Sequence, residues 1–286
     1  MSHCRVSALP SPMGPATPED AETRMAYRDL LYDVRDQVAR VTINRPKQYN
    51  AFTGDTLREM TLAIETAGAD PEVGVVVLTG AGDKAFCAGG DVNWEKEGGL
   101  ERQILEPYLF HQTLSHCPKP IIARVNGYAV GAGNHIAYFC DFTIAAEHAI
   151  FGQNGPRIGS PACGGIVSYL TRVVGAKRAR EMWMLARRYT ASQAYEMGLV
   201  NVVVPTEKLD EEVNKWCAEL LALSPTCLRI LKASFVEEFS DLLGQGDQLR
   251  RYLTGPEFWT EEQQEGARAF LDKRPANFAR FRRRRA

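Results

Sequence analysis

Apolar residues are spaced in two different ways along this chain. In the first part, short apolar runs alternate with amphipathic stretches. Leu30 to Val34 and Val38 to Ile43 alternate apolar and polar positions around Asp36-Gln37, the pattern of two strands joined by a tight turn. Thr53 stands where a cap would start a helix running to about Ala69, with Leu57, Met60, Ile64 and Ala67 on one stripe. Val73 to Thr79 is apolar at consecutive positions, as in a strand buried on both faces. A loop and helix over Gly98 to His116, a strand ending at Val125, and strand-like segments at Phe142 to Ala145 and Ile150-Phe151 follow. From Gly164 onward the spacing turns helical: Ala176 to Ala186, Ala191 to Met197, Leu209 to Leu223 and Pro225 to Phe239. One strand, Leu199 to Val204, interrupts them, and polar helices at Gly246 to Leu253 and Glu261 to Asp272 finish the chain. The expectation is an α/β core followed by a helical region.

Two glycine-rich turns break this pattern at informative places. Ala85-Phe86-Cys87-Ala88-Gly89-Gly90-Asp91 follows the Val73 run, and Gly127 to His135 follows Pro120 to Val125. The second opens directly into a helical pattern at Asn134. Glycine permits positive φ and close backbone approach, and a helix N-terminus presents unpaired N–H groups. Two such turns can aim two amides at one oxygen, or can simply be tight turns in an α/β protein.

Composition narrows the function classes. With 286 residues, 45% of them hydrophobic, the chain can bury one large core. Lys plus Arg (34) and Asp plus Glu (35) nearly balance, so no nucleic acid or other polyanion is expected as partner. No apolar run approaches the roughly 20 residues of a membrane span. Seven scattered cysteines without a CxxC pair read as thiols of a cytoplasmic protein, and no metal site is expected. Residues 1–25, with four prolines, read as a disordered extension. Acidic Glu19, Asp20 and Glu22 argue against a transit peptide, and Met25 is an alternative start. The run Arg282 to Arg285 reads as a solvated tail.

Five ordered blocks identify a family resemblance over roughly Tyr27 to Phe281. They are Asn44-Arg45-Pro46-Lys47-Gln48-Tyr49-Asn50-Ala51, Lys84 to Asp91, Lys119 to Gly127, Cys140 to Ala145, and Ala194 to Val200. The chain resembles the crotonase (enoyl-CoA hydratase/isomerase) superfamily. The resemblance implies a superhelical ββα spiral core over residues 26–205 and a helical oligomerisation region over 206–286. It also implies a homotrimer or dimer of trimers, and an acyl-CoA substrate that carries coenzyme A without a tightly bound cofactor. By motif position the N–H groups of Gly90 and Ala132 are the oxyanion donors, with Ala132 replacing the more usual glycine. Arg45, Lys47, Ala85, Ala88 and Lys273 match positions around the coenzyme, with Arg274 beside the last; surface charge is the alternative for the basic ones, and an equal one for Lys273 and Arg274.

The acid–base positions depart from a hydratase. Its two glutamates would fall at His135 and Gly155, so the water-activating pair is missing; a dehalogenase aspartate would fall at Cys163. Phe151 to Ser160, with Arg180-Glu181-Met182-Trp183, Lys215-Trp216-Cys217, Ser224-Pro225-Thr226 and Glu265 to Phe270, is similar to the branch of dihydroxynaphthoyl-CoA synthase. That branch also holds 2-ketocyclohexanecarboxyl-CoA hydrolase and 6-oxocyclohex-1-ene-1-carbonyl-CoA hydrolase. The resemblance implies a bicarbonate base beside Gln153, Gly155 and Trp183, and substrate contact by Ser160. The branch's aspartate falls at Ala162, and its tyrosine, offered by a neighbouring chain, at Phe258. His135 reads either as a general base, its ordinary pKa being near 6.5, or as a structural histidine. His111 and His116 read as surface residues, Cys163 as a small core residue, and Trp94, Tyr128 and Tyr138 as packing or pocket walls. The implied reaction makes or breaks a C–C bond in a cyclic β-keto acyl-CoA. A hydratase or isomerase with an unusual base, and a degenerate acyl-CoA binder, stay open as alternatives.

Overall fold

The computed structural model describes residues 27–102, 105–237 and 258–278. The expected N-terminal extension, the helix at Gly246 to Leu253 and the Arg282 to Arg285 run lie outside the described residues. Strands and helices are numbered in chain order. The hairpin forms as β1 (Leu30–Arg35) and β2 (Val38–Ile43), paired antiparallel from Leu30 with Ile43 to Arg35 with Val38. Asp36 and Gln37 adopt φ of 50° and 63°, the left-handed pair that a two-residue hairpin turn requires.

Parallel strands β3 (Val75–Gly80), β5 (Ile121–Val125), β7 (Phe142–Ala146) and β10 (Val202–Val204) extend the hairpin into a six-stranded sheet. Its order is β1-β2-β3-β5-β7-β10. Every residue of β3 is buried. Val76 and Leu78 face the main core, which includes Leu57, Met60 and Ile64 of α1 (Gly54–Ala69). Val75 and Val77 face a second cluster formed with Leu209, Val213 and Cys217 of α10 (Leu209–Leu221). A strand covered on both faces has no polar side to alternate with, which accounts for its continuous apolar run. Helix α1 begins as expected, with Thr53 and Thr56 forming a reciprocal capping box.

A second, four-stranded sheet carries the functional loops. It runs β4 (Ala85–Cys87), β6 (Tyr128–Val130), β8 (Ile150–Gly152) and β9 (Arg188–Thr190), in that order. Only β8 was foreseen, because three-residue strands are too short to display a period. Ala85 pairs with Tyr128 and Ala129 with Phe151 in parallel register. The chain therefore leaves neighbouring strands on the same edge, and both glycine turns and the Gln153 loop emerge side by side.

Beyond the sheets, α11 (Pro225–Glu237) leaves Ile230, Leu231 and Phe235 exposed. The expected Glu261 to Asp272 helix is a π turn over Phe258–Glu262 followed by α12 (Gln263–Leu271). Helix α12 packs on α2 (Val92–Lys96) and α6 (Gly155–Ile158) of its own chain. The approach is close at Gly266, where a Cβ would stand 2.3 Å from the Ile158 carbonyl. Among the described residues no helix is long and apolar enough to cross a membrane.

Candidate active site

The first turn is held by a one-residue bridge between Phe52 and Gly90. Phe52 donates to the Gly89 carbonyl at 2.9 Å and Asp91 donates to the Phe52 carbonyl at 2.8 Å. Because the bridge uses the neighbours' groups, the Gly90 amide projects from the opposite edge, toward the cleft that Gly90 lines. The second turn ends at Gly131, whose φ of 56° starts α5 (Ala132–Phe139) and leaves Ala132 at its first position. The two turns touch: a Cβ on Gly89 would lie 3.2 Å from the Ala132 nitrogen. Helix α5 rides directly on β4, since a Cβ on Gly133 would meet the Cys87 carbonyl at 1.9 Å. Two adjacent main-chain amides on one wall are able to hold negative charge developing on a carbonyl oxygen.

Gly90 and Ala132 share one cleft with His135, Gln153, Gly155, Ser160 and Trp183. All seven residues expected to carry the chemistry are thus brought together, in a space of about 1090 Å³ counted to its open mouth. Cys163 also lines it and is only partly buried, so it is not the small core residue expected. Gly155 is glycine for a steric reason: a Cβ there would meet the Ser160 carbonyl at 2.6 Å. A carboxylate side chain cannot be restored at this position without moving that backbone. Phe258, expected from a neighbouring chain, borders a second cavity with Ser160, Ala162 and Trp183 of its own chain.

The polar groups that line the cleft are buried and sparsely partnered. Gln153 is fully buried, and neither its amide nitrogen nor its oxygen has a hydrogen-bond partner among the described residues. The same holds for Trp183 Nε1 and His135 Nδ1. His135 stacks on His111 at 5.3 Å between ring centroids and leans on Trp183 at 5.5 Å. Burial, with the neighbouring His111, holds His135 well below its ordinary pKa, so it is neutral at physiological pH. His111 is not a surface residue. It is 1% exposed, its Nδ1 faces the Pro107 carbonyl, and burial lowers its pKa to about 4. It was misread because Gln112 and His116 flank it, while Phe110 and Leu114 carry α4 (Leu105–His116) into the core.

Glu95 is the residue the sequence did not disclose. It sits in the short α2, is 6% exposed, lines the cleft, and is hydrogen-bonded by Ser160. Its Oε1 lies 2.2 Å from where a Gly90 Cβ would be, directly against the first turn. Burial raises its pKa to about 7. The available signal was its place one helical turn after Asp91, whose side chain caps α2 through Asn93 and Trp94.

The sequence model of the enoyl-CoA hydratase/isomerase family matches residues 33–281. The chain belongs to that family. Its fold is similar to an enoyl-CoA hydratase from Mycobacterium avium subsp. paratuberculosis, with 32% identity and a TM-score of 0.76 over 88% of this chain and 99% of that one. An enoyl-CoA hydratase/isomerase from Xanthobacter autotrophicus shares 29% identity at a TM-score of 0.75, covering 87% and 97% of the two chains. A protein from Magnetospirillum magneticum described as an enoyl-CoA hydratase/carnithine racemase shares 28% identity at 0.72, covering 88% and 96%. The protein is a crotonase-superfamily acyl-CoA enzyme with the α/β crotonase fold.

The residues expected around a coenzyme divide. Ala88 lines both the cleft and an adjoining groove that runs past Tyr49, Asp91, Tyr128 and Arg188. Ala85 does not: it is buried in β4, and its carbonyl accepts from Asn50 Nδ2 at 2.7 Å. Arg45 is engaged internally, against Asp91 at 3.2 Å and Asp29 at 3.5 Å, so its charge is spent on the fold. Lys47 is exposed beside the groove, and Lys273 lies beyond the end of α12 rather than within it. Arg274 is bound by Glu265 at 2.8 Å. Arg188, 5.8 Å over the Tyr128 ring, is a groove cation that the sequence reading passed over.

Proposed function

We propose that this enzyme cleaves or forms a C–C bond beside the thioester of a cyclic β-keto acyl-CoA, with ring-opening hydrolysis the favoured direction. The reading is carried by one observation. The two hydratase carboxylate positions are His135 and Gly155, yet the wall beside them holds buried donors on Gln153 and Trp183 with no partner among the described residues. Hydroxide equivalent adds to the ring ketone, the ring C–C bond breaks, and its electron pair forms a thioester enolate. Gly90 and Ala132 N–H groups hold the enolate oxygen; one such donor is worth on the order of 3 kcal/mol in the transition state. Gln153 Nε2 and Trp183 Nε1 fit a water or a small oxyanion such as bicarbonate, which would supply the base for the attacking water.

Turnover of a panel of cyclic β-keto acyl-CoAs, compared with hydration of crotonyl-CoA, tests this reading. Ring opening that falls on bicarbonate depletion is expected; robust crotonyl-CoA hydration without ring opening overturns it. A hydratase or isomerase with an unusual base is the second reading, favoured by the name of the Mycobacterium avium protein. We also propose assembly as a homotrimer or dimer of trimers, supported by the exposed apolar residues of α11. A stable monomer of 31.8 kDa in sedimentation would refute that assembly.

A further inference from the structure

Glu95 is a buried carboxyl that no part of the proposed reaction yet employs. It stands against the Gly90 turn, lines the same cleft as Ala132, and reaches Ser160 across it. Helix α2 that carries it is braced by α12, whose Gln264 Nε2 donates to the Lys96 carbonyl at 2.7 Å. A carboxyl kept dry for structure alone would be expected to pair with a cation. Arg45, which reaches the neighbouring Asp91, is committed to Asp91 and Asp29.

We propose that Glu95 is a catalytic acid–base residue that exchanges a proton with the α-carbon of the bound acyl thioester. The inference rests on the acyl-CoA enolate reading and assigns its missing proton carrier. In one direction a Glu95 carboxylate oxygen takes the α-hydrogen as a proton. The C–H electron pair becomes the C=C bond of the enolate, and the carbonyl π pair moves onto the oxygen beside Gly90 and Ala132. In the ring-opening direction the protonated Glu95 returns its proton to the α-carbon and becomes the carboxylate. A group half ionised near neutrality serves both directions. The charged groups on elements packed around α2 include Asp91 with Arg45, Lys96 on α2 itself, Glu101 and Arg102 on α3 (Gly99–Arg102), and on α12 Arg268 and Glu265, the latter paired with Arg274.

The test is α-hydrogen exchange of butyryl-CoA in D2O, followed by NMR, since it needs an enolate but no ring. Glu95→Gln keeps the shape and the Ser160 contact and is expected to slow exchange at least about 100-fold, with butyryl-CoA affinity held within about threefold. Glu95→Asp, a second variant should the first fail to fold, is expected to retain part of the activity. Wild-type exchange should rise with pH through an inflection near about 7, and Ser160→Ala should move that inflection upward by removing a hydrogen bond to the carboxylate. Exchange retained in Glu95→Gln, or an inflection unmoved by Ser160→Ala, overturns the role of Glu95 and leaves the enolate reading standing. Wild-type protein that neither binds butyryl-CoA nor exchanges its α-hydrogens overturns the enolate reading itself.

Discussion

The two walls of the cleft are built from different materials. The turn wall is main chain: the Gly90 and Ala132 amides are fixed by a bridge to Phe52 and by the seating of α5 on β4. The rest of the lining is side chain: Glu95, His135, Gln153 and Trp183 are buried, and Gln153, His135 Nδ1 and Trp183 Nε1 have no hydrogen-bond partner among the described residues. Main-chain donors depend on where glycines permit close approach, so their position is written in the sequence as a glycine pattern. Side-chain acids and bases depend on what packs around them, and a residue's ionisation is not a local property of the chain.

The largest expected effect comes from breaking the turn wall without touching a donor. Gly133→Ala puts a Cβ into the Cys87 carbonyl and must lift the start of α5. Turnover should fall about 100-fold or more, the loss expected when one oxyanion donor is misplaced, while acyl-CoA still binds. Unchanged turnover would show that the α5 seat does not position the site.

The second prediction concerns stability. Glu95 holds its proton more tightly in the fold, with a pKa near 7 against an ordinary 4.5. Between those values the unfolded chain binds fewer protons, so the fold loses stability as pH rises from about 4.5 to about 7 and stays lower above. Glu95→Gln should therefore melt higher than wild type at pH 8, by up to about 3 kcal/mol, with the advantage gone below pH 4.5. Equal melting temperatures at pH 8 would mean that the carboxylate is solvated after all. His135 provides the contrast within the same wall. Neutral throughout, it should leave no inflection near 6.5 in the pH profile of turnover.

Two smaller effects mark the edges of the comparison. Thr53→Ala removes one half of the α1 capping box and should lower stability by about 1 kcal/mol at unchanged turnover. Arg188→Ala, at the groove rim, should raise KM for acyl-CoA several-fold, in keeping with about 1 kcal/mol for an exposed charge, and leave kcat unchanged. A change in kcat would place Arg188 nearer the chemistry than the groove.

Legibility followed the same division. Helix α1 was readable because its cap and its stripe are local and agree with each other. Strand β3 was readable because burial on both faces leaves a continuous apolar run. Strands β4, β6 and β9 were not, since three residues complete no period and their pairing is with segments 22 or more positions away. The seven candidate residues came from motif order, and the structure gathers them in one cleft. Ala85, Arg45 and His111 were misplaced because strand facing, internal ion pairing and helix burial are each settled by distant residues. Glu95 was missed for that reason too: nothing near it in the chain announces that its side chain will be buried against the Gly90 turn.

The docking of α12 carries a consequence for how the enzyme comes into being. The turn wall and its strands are complete once the chain has been made through β9, but α12, which packs on α2 and lends Phe270 to the cleft, comes from residues beyond 258. During synthesis the two glycine turns therefore emerge before the helix that closes this side of the cleft. A growing chain that stops short of α12 should present a more open cleft. The missing side is added only when Gly266 has left the ribosome and settles against Ile158.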